Sequence, residues 1–119
     1  IAGEIVLEIY VEADAPSFDL CAVLSVVRPD GKVYNFTQGY IRVDDRRLPI
    51  HIPLQATCIK IAKGNCLRVS VSTASFPAYP VNSGTGTLLA QARSIEAKVI
   101  TITVNSGSKF LSHLKLPCN

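Results

Sequence analysis

Residues 4–12 read Glu-Ile-Val-Leu-Glu-Ile-Tyr-Val-Glu, and this stretch decides the fold class. The apolar residues Ile5, Leu7, Ile9 and Val11 recur at every second position, and the residues between them are mostly polar. Successive side chains of a β-strand point to opposite faces, whereas an amphipathic helix repeats its apolar positions every three or four residues. The pattern therefore predicts a strand with one buried apolar face and one mostly polar face.

The same two-residue period continues along the rest of the chain. Further strands are predicted over residues 18–26, 33–37, 40–43, 50–54, 66–73, 97–104 and 111–116. The segment Arg28-Pro29-Asp30-Gly31 has the Pro and Gly positions of a type I turn, which predicts a hairpin, and Pro53 predicts an edge strand. No segment shows helical periodicity, and only residues 88–92 have the composition of a single helical turn. About eight strands at a spacing of roughly 8–12 residues indicate an all-β sandwich or jelly roll.

Composition narrows the class of protein. The chain has 119 residues, of which 48% are hydrophobic and 18% charged, which excludes a disordered segment and predicts one domain over residues 1–119. Because the sequence contains no Met and begins at Ile1, we expect it to be part of a longer chain. The net charge of +3 comes from scattered Lys and Arg residues, so no nucleic-acid partner is predicted. No apolar run approaches the ~18 residues of a membrane span, so no membrane partner is predicted either.

The chain offers few residues for catalysis. A nucleophilic mechanism needs a Ser or Cys beside a base, and His51 and His113 are the two histidines of the sequence. His113 follows Ser112, but adjacent residues of a strand point to opposite faces, and no G-x-S-x-G motif appears. We therefore predict no catalytic residue. We also predict no cofactor, because no glycine-rich loop leads into a helix.

Metal binding has little support in the spacing of the ligand residues. The four cysteines contain no C-x-x-C pair, so we expect free thiols and a reducing, cytoplasmic location. The acidic residues lack the spacing of an EF-hand loop, and no metal site is predicted. Jelly rolls can also hold calcium with ligands from separate loops, and that alternative stays open. Its candidate ligands are Asp14, Asp19, Asp30, Asp44 and Asp45.

The loop over residues 74–86 is the one segment with a functional composition, because it is long and rich in Pro, Tyr, Asn and Gly. We predict that Phe76, Pro77, Tyr79 and Asn82 face a partner domain or line a cleft. In the alternative interpretation, Phe76 plugs the end of the sandwich core while Pro77 and Pro80 fix the shape of the loop.

Seven segments, taken in order, resemble one known family. They are residues 13–19 (ADAPSFD), 27–35 (VRPDGKVYN), 39–43 (GYIRV), 63–72 (KGNCLRVSVS), 75–77 (SFP), 82–86 (NSGTG) and 112–117 (SHLKLP). Their order and spacing are similar to the C-terminal domain of the X-Pro dipeptidyl-peptidase family, which also holds cocaine esterase, α-amino-acid ester hydrolases and glutaryl-type cephalosporin acylases. The chain departs from the family at Asn65 and Cys66, where His and Arg are usual.

The resemblance implies a jelly-roll sandwich similar to galactose-binding domains. It also implies that the Ser-Asp-His triad lies in a preceding α/β-hydrolase domain, so no catalytic residue is carried over to this chain. The residues that match the family pattern are structural. They are Asp19 at the entry to the second strand, Pro29-Asp30-Gly31 in the hairpin turn, Arg42 after the Gly-x-x run, and Phe76-Pro77 with Asn82 in the loop that faces the catalytic domain.

Two functions from different classes follow from these expectations. In the first, the chain is a non-catalytic accessory domain of a serine hydrolase, with the α/β-hydrolase domain of the same chain as its partner and homo-oligomerisation as a further role. In the second, it is a stand-alone carbohydrate-binding module, because jelly rolls host such modules. The absence of Trp and the presence of only four Tyr weaken the second hypothesis.

Overall fold

The computed structural model describes residues 1–45 and 47–118, and within them the chain forms seven β-strands and two short 3₁₀ turns. The strands, in chain order, are β1 (Ala2–Ala13), β2 (Phe18–Val27), β3 (Val33–Val43), β4 (Ile50–Cys58), β5 (Cys66–Ser72), β6 (Ile102–Asn105) and β7 (His113–Lys115). The 3₁₀ turns are Leu89–Gln91 and Ser94–Glu96.

The strands form two antiparallel sheets. In the four-stranded sheet, β1 lies between β4 on one edge and, on the other, β7 and β6, which follow each other along its length. In the three-stranded sheet, β2 lies between β3 and β5. The two central strands, β1 and β2, are each paired on both sides, and nearly every residue of β2 is buried.

The core lies between the two sheets and is built from the alternating residues of the central strands. Ile5 and Leu20 are fully buried, and Ile52 of β4 is equally inaccessible. The remaining members are Leu7, Ile9, Val11, Phe18, Ala22, Leu24, Val43, Ile50 and Leu54. The predicted β-sandwich is therefore confirmed, because both sheets contribute one apolar face to a common core.

The hairpin between β2 and β3 follows its sequence signal. The Gly31 amide donates to the Arg28 carbonyl at 2.9 Å, which closes the predicted four-residue turn. The two predicted strands over 33–37 and 40–43 are one continuous strand, β3. Its register against β2 shifts between Leu24 and Ser25, which leaves Phe36 without a directly opposite residue. Pro53 lies in β4, which is an edge strand as predicted.

The prediction of a strand over residues 97–104 was wrong for its first half. The strand β6 begins at Ile102, and the Lys98 amide instead donates to the Ser83 carbonyl at 2.9 Å. Val99, which suits a strand by composition, is 93% exposed. Since β-propensity reflects packing on a half-buried surface, a β-branched residue with nothing to pack against does not extend the sheet. The final strand is likewise shorter than predicted, spanning His113–Lys115.

Candidate docking surface and its anchors

The connection between β5 and β6, residues 74–101, contains the predicted functional loop and no strand. Its middle is tied to the sandwich by Asn82, which is 7% exposed. The Asn82 Nδ2 group donates to the Ser17 hydroxyl and to Oδ1 of Asp19, both at 2.9 Å, and the Asn82 side-chain oxygen accepts from the Gly84 amide at 2.9 Å. The amide group therefore uses both donor hydrogens and one acceptor position inside the domain.

Asp19 makes this anchor possible. Its carboxylate is 1% exposed, and burying a charge is costly unless hydrogen bonds compensate for the lost water. Tyr40 supplies a second donor, with its hydroxyl 2.6 Å from Oδ2 of Asp19. Each oxygen of Asp19 thus has a donor, one from β3 and one from the loop.

Tyr40 also holds the loop by its ring. The rings of Tyr40 and Tyr79 stack with centroids 3.9 Å apart and planes inclined by 3°. Burial, followed by the hydrogen bond to the Asp19 carboxylate, raises the pKa of Tyr40 well above its ordinary value. The phenol therefore stays protonated and keeps donating to Asp19 across the neutral pH range.

A third tie runs through Arg42. Its guanidinium reaches the Thr87 carbonyl at 3.4 Å and Oδ1 of Asp44 at 3.3 Å. A hydrogen bond from Ser17, with a smaller contribution from Arg42, holds the pKa of Asp44 below its usual range. Because Ser17 also accepts from Asn82, one polar network joins the loop to β2 and β3 at two separate points.

Gly84 brings the loop close to Ile100, which lies just before β6. Its φ of +75° lies in the left-handed region that favours glycine, and an added Cβ would stand 2.9 Å from the Ile100 side chain. A side chain at this position would be strained by the backbone angle and would force Ile100 to shift. Gly84 therefore permits the close approach, and the polar network holds the loop in place.

Residues 74–101 expose several large apolar side chains. Ile95 and Val99 are 91% and 93% exposed, and Phe76 and Leu88 are 74% and 68% exposed. A hollow of about 240 Å³ in the same segment is lined by apolar residues such as Pro80 and Val81 and by polar residues such as Arg93 and Ser94. We call the exposed apolar side chains of Phe76, Val81, Leu88, Ile95 and Val99 the apolar surface of the connection.

The structure divides the predicted loop residues into two groups. Phe76 and Pro77 are exposed, so the interpretation in which Phe76 plugs the sandwich core is wrong. Tyr79 is half-buried by its stack on Tyr40, and Asn82 is buried inside the domain. Asn82 therefore positions the loop from within, whereas a contact of Phe76 and Pro77 with a partner domain stays a prediction.

The two histidines meet at Glu8, an arrangement that sequence reasoning missed. Register places His51 on β4 and His113 on β7 directly opposite Glu8 of β1. The Nε2 atoms of His51 and His113 lie 3.8 and 3.1 Å from the two Glu8 oxygens, and Lys115 also donates to Glu8. The hydrogen bond from Lys115 is the main cause that lowers the pKa of Glu8, against an opposing effect of burial. No local pattern signals this cluster, because strand pairing alone brings its members together.

Ser112 does not pair with His113. Its hydroxyl donates to the Asn105 carbonyl at 2.6 Å and accepts from the Tyr10 amide at 3.0 Å. The hydroxyl proton is therefore directed at a backbone carbonyl rather than at an imidazole, and Ser112 itself lies just before β7.

Within residues 1–45 and 47–118, no group of three or more His, Cys, Asp or Glu side chains is arranged to hold a metal ion. No helix in the same part of the chain is long and apolar enough to cross a bilayer.

Comparison with known proteins adds two findings. Residues 1–114 match the family described as the X-Pro dipeptidyl-peptidase C-terminal non-catalytic domain. The chain is also similar to the cocaine esterase of Rhodococcus sp. (strain MB1 Bresler), with 26% identity over 130 aligned residues. That alignment covers 98% of this chain and 23% of the esterase, so the chain spans about a quarter of that relative's length. Because the match extends over nearly the whole sandwich, the chain belongs to the X-Pro dipeptidyl-peptidase C-terminal non-catalytic domain family.

Proposed function

We propose that this chain is the non-catalytic accessory domain of a serine hydrolase and packs on the α/β-hydrolase domain of the same polypeptide. In this role it forms one wall of the active-site cleft, and the parent enzyme acts through an acyl-enzyme on an ester or amide substrate. Family membership supports the accessory role, and the small share of the related esterase that the chain covers leaves room for a catalytic domain.

The observation that carries the proposal is the two-sided construction of residues 74–101. The inner side is held by Asn82, Tyr79 and Gly84, and the outer side presents the apolar surface of the connection. A flexible loop would lose conformational entropy on docking, whereas a loop already fixed by its own domain avoids most of that loss. A rigid apolar surface is thus suited to a permanent contact between domains.

The magnitude of the apolar exposure fits an interface between domains. Fully burying one Ile or Val side chain contributes roughly 1.5–3 kcal/mol. Ile95 and Val99 are almost completely exposed, so nearly all of this contribution is still available to a partner. Interfaces between domains of one chain typically bury roughly 600–1,500 Å², an area that a handful of such residues and their neighbours can supply.

The proposal is tested by the double substitution Ile95→Asp with Val99→Asp. In the 119-residue domain both side chains are exposed, so we expect the free energy of unfolding to change by less than about 0.5 kcal/mol. In the full-length polypeptide we expect the domain to separate from the catalytic domain, which limited proteolysis between the two would detect. Gln38→Asp, on an exposed position of β3, is the matched control and should leave the domains together.

Activity provides the second measurement. Hydrolysis of a p-nitrophenyl ester and an X-Pro-nitroanilide should be seen with the full-length polypeptide and not with the 119-residue domain. Inert full-length protein would count against the hydrolase assignment. Unchanged proteolysis of the double variant would instead show that residues 74–101 are not the contact.

A further inference from the structure

Two of the three apolar side chains by which β5 faces the inside of the sandwich, Leu67 and Val69, are exposed. Directly paired residues of antiparallel strands point to the same face of a sheet, and β5 pairs with the buried strand β2. The pairs on this inner face are Leu67 with Val26, Val69 with Leu24, and Val71 with Ala22. Yet Leu67 and Val69 are 38% and 40% exposed, whereas Leu24 is fully buried. The opposite sheet therefore covers the inner face of β5 only in part: Val71 packs against the core, whereas Leu67 and Val69 stay accessible.

The opposite sheet also has an inward-facing apolar side chain that is exposed. Val104 of β6 pairs with the buried Val11 and so faces inward, but it is 45% exposed. A cleft of about 460 Å³ opens between the two sheets at this side. Its floor and walls are mainly Leu7, Ile9, Val69, Val71, Val104 and Leu114. We call this cleft, together with the outer edge of β5, the open seam.

The other side of the sandwich is closed. The Thr37 hydroxyl of β3 donates to the Gln55 carbonyl of β4 at 2.6 Å, which ties the two sheets together. A Cβ on Gly39 would lie 2.3 Å from the Pro53 carbonyl oxygen, so these strands approach more closely than a side chain would allow. The seam is thus a local feature and does not reflect loose packing of the whole fold.

The edge of β5 lacks the devices that protect an exposed strand. Natural edge strands are usually very short, interrupted by Pro or bulges, or covered by another segment. The strand β4 has Pro53, β3 has an irregular register at Phe36, and β6 and β7 are four and three residues long. In contrast, β5 has seven residues, CLRVSVS, with no Pro and one charged side chain. An unpaired edge of this length can form backbone hydrogen bonds with a further strand.

We propose that the open seam receives an extended segment from the catalytic part of the same polypeptide, which pairs with β5 and inserts alternate apolar side chains between the sheets. The inference rests on the proposed function, since it takes its partner from there. The related esterase is more than four times as long as the aligned region, so most of the parent chain is available as donor. A tethered donor has a high effective concentration, which favours it over a separate molecule.

The chemistry of the seam defines the segment that fits it. A strand added to β5 directs every second side chain inward and leaves the others in solvent. The inward positions meet Val69 and Val71 on one wall and Val104 on the other, so they must be apolar. The backbone of the segment supplies hydrogen bonds to the free edge and thereby extends the three-stranded sheet by one strand.

Residue-resolved hydrogen exchange on the unmodified full-length polypeptide tests this inference. In an antiparallel edge strand, alternate amides point toward the neighbour and away from it. If a segment pairs with β5, the outward amides of Cys66–Ser72 will be protected as well as the inward ones, by at least about tenfold over an unpaired amide. Alternating protection would overturn the proposal. Protection that disappears on dilution would also overturn it, because a second copy would then be the occupant.

Paired substitutions separate the seam from the docking surface. In the full-length polypeptide, Val69→Asp should abolish protection of the outward β5 amides, whereas Ser70→Asp, which faces away from the seam, should leave it unchanged. The double substitution Ile95→Asp with Val99→Asp tests the apolar surface of the connection. Alternating β5 protection together with domain separation in that double variant would reject the seam and leave the proposed function standing. Loss of hydrolysis in all forms, with β5 fully protected, would reject the hydrolase assignment and retain the strand pairing.

Discussion

The Nδ2 atom of Asn82 lies 2.9 Å from Oδ1 of Asp19, and this contact joins two positions that are 63 residues apart in the chain. Asp19 is at the start of β2 in the middle of a sheet, and Asn82 lies in a connection without strands. The pair makes the shape of the connection depend on the sandwich, so a change on either side is expected to affect the surface that we assign to docking.

Replacement of the loop anchor should destabilise the domain. Asn82→Ala removes the donor from a buried carboxylate oxygen, and an unsatisfied buried group costs about 1–3 kcal/mol, more when it is charged. The comparison is Ser72→Ala, which removes an exposed hydrogen bond from the Ser72 hydroxyl to the Ala74 carbonyl and should cost at most about 1 kcal/mol. Urea unfolding of both variants measures the difference. Equal losses would show that the Asn82 contact has no special weight.

The contributions of the Tyr40 hydroxyl and of the Tyr40 ring to stability can be measured separately. Tyr40→Phe keeps the stack on Tyr79 but removes the donor to Asp19, and hydrogen bonds to charged groups contribute roughly 1.5–3 kcal/mol. Tyr79→Ala removes the stack and keeps the hydroxyl, with an expected loss of about 0.5–1.5 kcal/mol beyond area burial. Because Tyr79→Ala also loses buried area, each variant is compared with the parent domain by urea unfolding at neutral pH. A loss of less than about 0.5 kcal/mol in Tyr40→Phe would contradict the role of the hydroxyl.

The raised pKa of Tyr40 predicts an effect at high pH. A pKa that is higher in the folded state means that folding favours the protonated phenol. The resulting contribution to the free energy of unfolding is fully present below the unfolded pKa of about 10. That contribution is lost as the pH rises above this value toward the folded pKa. Absorbance titration should therefore show one of the four tyrosines ionising after the others. Tyr40→Phe should remove this late step, and its persistence in the variant would reject the assignment.

The strands of the core could be predicted from the sequence because apolar residues at every second position indicate which side chains are buried. Ile5, Leu20 and Ile52 lie at alternating apolar positions, and all three are buried. Residues 97–101 misled the prediction because β-branched residues there have strand composition without a surface to pack on. A β-branched residue can also lie almost fully exposed outside any strand, as Val99 does.

The candidate site could be predicted only in part. The Pro and Gly content of residues 74–86 correctly marked a long connection, but composition does not distinguish the buried Asn82 from the exposed Phe76. The cluster of Glu8 with His51 and His113 depends on strand pairing over long distances, and no spacing in the sequence encodes that pairing. The open seam was equally hidden, since Val69 has the alternation of an ordinary core residue.

The close approach at Gly84 leads to a prediction with a built-in control. Gly84→Ala places a Cβ 2.9 Å from the Ile100 side chain at a φ of +75°, so it should destabilise the domain by more than about 1 kcal/mol. Gly107 has nothing within 4 Å of its added Cβ and does not have a positive φ. Gly107→Ala should therefore be neutral or stabilising by about 0.4–1 kcal/mol. Thermal unfolding of the two variants should move in opposite directions or differ clearly in size.

The Glu8 cluster predicts the response of stability to acid. The pKa of Glu8 is lowered mainly by the hydrogen bond from Lys115, and the charges of Lys115, His113 and His51 add to the effect. A carboxyl whose folded pKa is depressed contributes stability that is present above its unfolded pKa, near 4.5, and is lost as the pH falls through the folded value. Glu8→Gln should thus be less stable than the parent domain at neutral pH, and the difference should shrink below about pH 4.

The control for this prediction lies on the same strand. Glu12 is exposed, and Glu12→Gln should change stability by less than about 0.5 kcal/mol at any pH between about 3 and 7. Urea unfolding at several pH values compares the two variants with the parent domain. Since Glu8 contacts both His113 and Lys115, its loss should also release β7 from β1. Faster amide exchange in His113–Lys115 of Glu8→Gln would support the role of Glu8 in holding β7 on β1. A difference in stability that does not change with pH would contradict the proposed contribution of the ionised Glu8 carboxylate.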